Sequence, residues 1–230
     1  MVLNYYLGLY DQYSKELNEV RQEQRKFWYS LSGAQYDDIE AEILYMLVRE
    51  NSPLHFLEIG SLAGWSTSWV LKGIDKNKKG KIHTFDLRQP DFEHENCLFT
   101  EGDVKQTLFN VNSFNPIQET DFLFIDAAHT HEFHIWCIEE IIKPLKKTGR
   151  KIPVIVHDVF VNSPIPHHSA KCIVDYLNNE NIDYFSPSSG FTESFQTIQQ
   201  KRTETIADSN DNIHPKSEKN PSLIFYLNNE

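Results

Sequence analysis

Acidic residues recur at the ends of short apolar runs in this chain of 230 residues. Glu58 lies in Phe56-Leu-Glu-Ile-Gly60, just ahead of a turn that contains Gly60 and Gly64. Asp86 closes Ile82-His-Thr-Phe-Asp, Asp126 closes Asp121-Phe-Leu-Phe-Ile-Asp, and Asp158 follows the apolar stretch Ile152 to His157. Carboxylates at the carboxyl ends of buried strands face the crevice in which open α/β sheets bind ligands. Glycines there allow close approach of backbone to ligand. Ser66 and Thr67 fall where the next helix presents free N–H groups. An acid before the turn suits an ammonium and repels a pyrophosphate. The spacing Gly60-x-x-x-Gly64 also departs from the Gly-x-Gly-x-x-Gly of dinucleotide sites, which disfavours an NAD-dependent dehydrogenase.

The run Asp126-Ala-Ala-His129 adds titratable chemistry. A neutral imidazole at His129 is a candidate general base near pH 7; the other role open to it is to hydrogen-bond the loop and fix the Asp126 turn. Asp126 and Asp158 end neighbouring strands, so their oxygens form a candidate site for Mg²⁺ or another hard cation. His157 is expected to make a structural hydrogen bond. His131 and His134 are expected near the surface of the following helix, and His167-His168 at the mouth of a substrate site. No cysteine joins these histidines, so a zinc site of the Cys/His type is not expected.

These residues require strands and helices in alternation. Apolar runs predict strands at 55–59, 81–86, 97–100, 121–125, 152–157 and 222–227, with helices at 64–73, 104–109, 131–143 and 168–179. Such alternation argues for a parallel sheet with helices on both faces, and the near-continuous apolar strands agree. Asp37-Asp-Ile-Glu40 has the form of a capping box that opens a further helix. Ahead of it, Leu9, Tyr13, Leu17 and Val20 recur at helical spacing, and Phe27-Trp-Tyr29 makes an aromatic knot before Gly33. Residues 1–35 therefore read as a helical extension, a lid or an oligomer contact, and residues 36–230 as the main domain. Gln199 to Pro221 is polar and reads as a loop excursion.

Composition excludes several classes. The net charge of −11 argues against a nucleic-acid surface, which needs clustered Lys and Arg. No apolar run has the length of a membrane span, and the N-terminus lacks the features of a secretory signal. Three widely spaced cysteines, Cys97, Cys137 and Cys172, read as reduced thiols of a cytoplasmic protein.

Leu57-Glu-Ile-Gly-Ser-Leu-Ala-Gly-Trp-Ser66 resembles the first motif of class I S-adenosylmethionine-dependent methyltransferases. Phe124-Ile-Asp126-Ala-Ala-His129-Thr-His131-Glu132 resembles the Ile-Asp-Gly-x-His-x-Tyr-Glu signature of the methyltransferase 24 family of small-molecule O-methyltransferases, and 142–158 resembles its continuation, lengthened by two residues after Gly149. The resemblance covers roughly residues 36–160. It implies a Rossmann-like, doubly wound, mostly parallel seven-stranded sheet with an antiparallel last strand. It implies S-adenosyl-L-methionine as cofactor and a small molecule as methyl acceptor. Glu58, Gly60, Ser61 and Gly64 would surround the cofactor's amino group, Ser66 its carboxylate, Asp86 the ribose diol, and Asp103 with Val104 the adenine. Asp126 would serve both cofactor and catalysis beside His129, and Asp126 with Asp158 would hold Mg²⁺ where one is used. Metal-using relatives carry Asn beside the second Asp; here that residue is Val159, leaving Asn162 or His129 to substitute. A homodimer and a non-catalytic binding domain of the same fold remain alternatives.

Overall fold

A computed structural model describes residues 2–28, 36–90, 92–214 and 218–228. The chain opens with α1 (Val2–Trp28) and α2 (Asp38–Asn51), then β1 (His55–Ile59), α3 (Trp65–Asn77), β2 (Lys81–Asp86), β3 (Cys97–Glu101) and α4 (Val104–Thr107). It continues through β4 (Phe122–Ile125), α5 (His131–Cys137), α6 (Lys143–Lys147), β5 (Ile152–Val156), α7 (Lys171–Asn179), β6 (Tyr184–Phe185), α8 (Thr192–Thr205) and β7 (Leu223–Leu227).

The strands form one seven-stranded sheet in the order β3-β2-β1-β4-β5-β7-β6, parallel except for β7, which runs antiparallel to both of its neighbours. This is the doubly wound sheet expected from the alternation of apolar runs. Side chains alternate across each strand. Phe56, Phe122, Phe124, Ile155 and Ile224 enter one core with α1, α2 and α3; Leu57, Ile59, Leu123, Ile125, Val154 and Val156 enter the other with α5 and α7. β1 lies between β2 and β4, so the chain leaves its two central strands in opposite directions. Ligand crevices open at that switch point.

The capping box forms as expected: Asp37 caps α2, and the Glu40 side chain accepts from the Asp37 N–H at 3.2 Å. α1 buries Tyr6, Leu9, Tyr10, Leu17 and Val20 against its own chain, packing on α2, α3 and α8. Of the aromatic knot, Phe27 and Trp28 meet Phe92 and Trp65 edge-on, whereas Tyr29 and Gly33 lie outside the described residues.

The polar stretch from Gln199 departs from expectation. Residues 192–205 form α8, with only Ile198 and Arg202 buried along it. Its anchor is charge rather than an apolar stripe, which is why composition reads it as loop. Arg202 donates to both oxygens of Glu42 on α2, at 2.8–3.0 Å, and to the Ser209 carbonyl at 2.6 Å. Arg21 of α1 also pairs with Glu42. Beyond the helix, Ile206 and Ile213 are buried, and Asp38 accepts the N–H groups of Ile213 and His214. A second departure is that the helix predicted over 131–143 does not close at Pro144. A π turn at Ile138–Ile142 joins α5 to α6 without a break, and the helical run continues through Pro144 to Lys147 past this widened turn. Within α5, His134 is buried and bonds the Ser169 carbonyl at 2.8 Å, not the surface position its sequence context suggested. No helix among the described residues is long and apolar enough to cross a membrane.

Glu42 is fully buried between two guanidinium groups. Removing one partner leaves charge uncompensated in a dry layer, which is strongly destabilising. Arg202→Ala is expected to lower unfolding free energy by about 3 kcal/mol, with the second arginine limiting the loss. Urea denaturation checks this; a change within 0.5 kcal/mol of zero, the range of an ordinary surface substitution, would show that α8 is not held by this pair.

Candidate functional site

At the switch point the β1 and β4 ends are joined tightly. The Asp126 N–H donates to the Ile59 carbonyl at 2.8 Å, and the Gly60 N–H donates to the Phe85 carbonyl at 2.8 Å. Gly60 has φ +91°, and a Cβ there would lie 1.9 Å from the Asp126 carbonyl oxygen. Only glycine fits. Above this junction opens a cavity of about 540 Å³, walled by Gly60, Leu62, Asp86, Asp103, Val104, Asp126, His129, Thr130, His157 and Asp158 among others. That volume is in the range of small-molecule and cofactor sites. The structure thus gathers Gly60, Asp86, Asp103, Val104, Asp126, His129 and Asp158 from seven points in the sequence into one wall.

Asp86 organises the glycine turn. Its Oδ2 accepts from the Ser61 and Leu62 N–H groups, both at 2.7 Å, and its Oδ1 from the Leu87 N–H at 2.6 Å. Oδ1 keeps a lone pair for a ligand hydroxyl. Asp103 caps α4 by accepting the Lys105 N–H at 3.0 Å while facing the cavity. The Ser61 hydroxyl is buried with no hydrogen-bond partner among the described residues. Ser61 itself does not line the cavity.

With Ser61, three other sequence candidates, Glu58, Ser66 and Gly64, lie off the cavity wall. Glu58 is fully buried, and accepts from the hydroxyls of Ser66 (2.8 Å), Thr67 (2.6 Å) and Thr84 (2.6 Å). The Ser66 hydroxyl expected on a ligand carboxylate therefore belongs to Glu58, and Glu58 ties β1, β2 and α3 together. Burial pushes the Glu58 carboxyl up to about 7, against the pull of the three hydroxyls. Gly64 does not line the cavity either: a Cβ there would strike the Phe92 ring at 2.2 Å, so its glycine is required by the β2–β3 connection packed over it.

Asp126, His129, His157 and Asp158 converge at the other end. His129 Nε2 lies 3.6 Å from Asp126 Oδ1 and 3.4 Å from Asp158 Oδ2, with the His129 side chain 40% exposed. His157 is buried, its Nδ1 3.0 Å from Asp126 Oδ1 and its Nε2 3.3 Å from Glu40 Oε2. Burial alone would lower the His157 pKa, but the two carboxylates raise it well above the ordinary imidazole value. Burial alone would raise Asp126, and the cationic His157 more than offsets this, holding Asp126 below its usual value. Asp126, His129 and His157 place donor atoms within 4.8 Å of one another. Both His157 nitrogens face carboxylates; Asp158 stands outside this group of three and approaches it through His129 at 3.4 Å and His157 at 3.6 Å. Asn162 does not join them: its Oδ1 accepts from Ser189 at 3.4 Å and lies off the cavity wall.

In the sequence, Glu40 reads only as a helix cap. Its link to His157 crosses 117 positions, and no local pattern signals that distance. Lys105 and Phe133 also line the cavity, the ammonium 5.8 Å from the Phe133 ring centre. Lys105 follows the Gly102-Asp103-Val104 step directly, which is the one signal that marked it.

The family model of a methyltransferase domain matches residues 57–159, somewhat under half of the chain. No curated protein matches the chain by sequence. Among solved structures, an O-methyltransferase from Bacillus cereus in complex with SAH is 15% identical, with 98% of this chain and 99% of that one covered at a TM-score of 0.55. The SAH-bound methyltransferase PaMTH1 of Podospora anserina is also 15% identical, covering 71% of this chain and 81% of its own at a TM-score of 0.50. At such identity the likeness is one of fold.

The Glu58 carboxyl gives a pH signature. The folded chain holds its proton with a pKa of about 7 against 4.5 for the ordinary group, so the protonated form favours folding. This contribution is whole below about pH 4.5 and is lost as pH rises to about 7, roughly 3 kcal/mol in all. Glu58→Gln removes the titration, and denaturant melts should then show a flatter stability profile across that window. A profile with the same slope as the unaltered chain would assign the dependence to other groups.

Proposed function

We propose that the chain transfers a methyl group from S-adenosyl-L-methionine to a hydroxyl oxygen of a small molecule, a reading supported by the match of residues 57–159 to the family model of a methyltransferase domain. The observation that carries this reading is the single cavity joining the Gly60 turn, the ribose-competent Asp86 and the Asp126–His129–Asp158 cluster.

When bound, the cofactor supplies an electrophilic methyl on a sulfonium. Asp86 accepts from the ribose diol through its free Oδ1 lone pair. Asp103 and the Val104 backbone meet the adenine. Gly60, on the cavity wall, admits the amino acid end close to the backbone. The carboxylates at the cavity's other end favour the cationic donor. His129, exposed at that end, accepts the proton as the acceptor oxygen forms its bond to carbon and the sulfur keeps the departing electron pair. The chain's larger contribution is alignment of oxygen, carbon and sulfur in a walled site. A divalent cation held by Asp126, Asp158 and His129 would lower the hydroxyl pKa in place of a protein base.

Three free thiols support a reducing, cytoplasmic setting. In this reading α1 acts as a cover over one face of the sheet. Its apolar stripe is used within the chain, so a homodimer would need a different surface.

Calorimetry should show S-adenosylmethionine binding in the micromolar range, about −8 kcal/mol, with Asp86→Ala costing roughly 1.5–3 kcal/mol of it. Tight binding of NAD with no heat from S-adenosylmethionine would reverse the assignment. For catalysis, transfer of labelled methyl to a panel of hydroxylated small molecules should fall about 10²–10⁴-fold in His129→Ala with cofactor affinity nearly unchanged. Activity abolished by chelator and restored by Mg²⁺ or Mn²⁺ assigns the cluster to a metal, and full activity in chelator leaves His129 as base. If His129→Ala and Asp158→Ala both keep full activity, the chemistry lies elsewhere.

A further inference from the structure

Behind Asp126 stands a second carboxylate that never reaches the cavity. Glu40, on the first turn of α2, is 1% exposed, and it is surrounded by donors. Its Oε1 accepts from the Ser222 N–H at 3.1 Å and from the Ser222 hydroxyl. Its Oε2 accepts from the Asp37 N–H at 3.2 Å and faces His157 Nε2 at 3.3 Å. The opposite nitrogen of His157 lies 3.0 Å from Asp126 Oδ1.

We propose that Glu40 is a positioning residue of the methyl-transfer site, acting through the His157 ring to fix the Asp126 carboxylate at the cavity wall. The proposal rests on the reading of Asp126 as a cofactor-site residue given above. A carboxylate turns freely about its terminal torsion, as does an imidazole about its own, because such torsions are broad and two-fold. Asp126 is therefore oriented only as well as the ring that donates to it. His157 is pinned at its other nitrogen by Glu40, and Glu40 is pinned by the start of α2 and the approach to β7. Each link ends on an element that packing holds rigid, the arrangement that keeps a site residue in productive geometry. Only a carboxylate does this here. Both Glu40 oxygens face donors, and an amide would turn its NH₂ toward either Ser222 or His157.

S-adenosylhomocysteine titrated calorimetrically into the full chain serves as the probe, beside NMR of the labelled histidine ring. Asp126→Asn and Glu40→Gln should each weaken binding about tenfold, the range seen when a partner that orients a ligand-contacting group is removed. The double variant should be no weaker than Asp126→Asn alone, since Glu40 acts only through Asp126. The His157 Nδ1–H resonance is expected to exchange slowly in the unaltered chain and to be lost in Glu40→Gln. If Glu40→Gln fails to fold, His157→Gln leaves the helix cap and the Ser222 contact in place and should give the same loss and the same non-additivity. Unaltered affinity in these variants, losses that multiply to about a hundredfold in the double variant, or a retained Nδ1–H signal in Glu40→Gln would overturn the proposal. Should the unaltered chain not bind S-adenosylhomocysteine at all, the functional reading fails, while the NMR comparison still decides whether Glu40 orients the ring.

Discussion

The contact between the Gly60 Cα and the Asp126 carbonyl is the constraint from which the site follows. Two parallel strands at the centre of a doubly wound sheet must send their chains to opposite sides, and here they do so in van der Waals contact. Any side chain at residue 60 would wedge them apart. The same closeness leaves the crevice above them open and brings the Asp126 side chain into its wall. Asp86 then holds the turn in place by accepting two of its N–H groups, so the loop that would meet a cofactor is ordered by the very acid that would share the cofactor's ribose.

The acids of this chain divide by what surrounds them. Glu58, Glu40 and Glu42 are buried and ringed by hydroxyls, N–H groups, imidazole or guanidinium, so each ties several elements together at one point. Asp86, Asp103, Asp126 and Asp158 open on the cavity and keep acceptor capacity for a ligand. Burial of a carboxylate is costly unless donors replace water. The donors supplied to the first group replace the water those carboxyl groups lose, so each can serve as a buried tie, while the second group keeps acceptor capacity on the cavity.

The helical layer of α1, α2 and α8 carries this further. Its apolar part is ordinary: Leu9, Tyr10, Leu17 and Val20 against the α2 and α3 faces. Its last member is held by Arg202 and by hydrogen bonds from the chain beyond it to Asp38. A helix secured by one buried guanidinium has no amphipathic stripe, and its polar residues read as loop.

How far the sequence reaches can be judged residue by residue. Every principal strand was legible, because an apolar run buried on both faces needs no tertiary information to be recognised; the two-residue β6 was too short for any pattern. The glycine turn and the acids at strand ends were legible too, since their positions along the strands place them at one edge of the sheet. What each polar atom faces was not. Glu58 and Ser66 stand next to the turn in sequence, yet their side chains meet each other rather than the cavity, because alternate residues of a strand point to opposite faces and the β1–α3 turn folds the helix hydroxyls back onto Glu58. Gly64 looked like a ligand glycine and is instead made room for Phe92. Glu40 looked like a helix cap alone and also reaches His157. Periodicity and strand-end chemistry are local properties, so the sequence by itself determined the sheet, the edge and the acids there. Which hydrogen bonds those acids complete depends on partners brought from α2, α8 and β7, and packing alone settled those meetings.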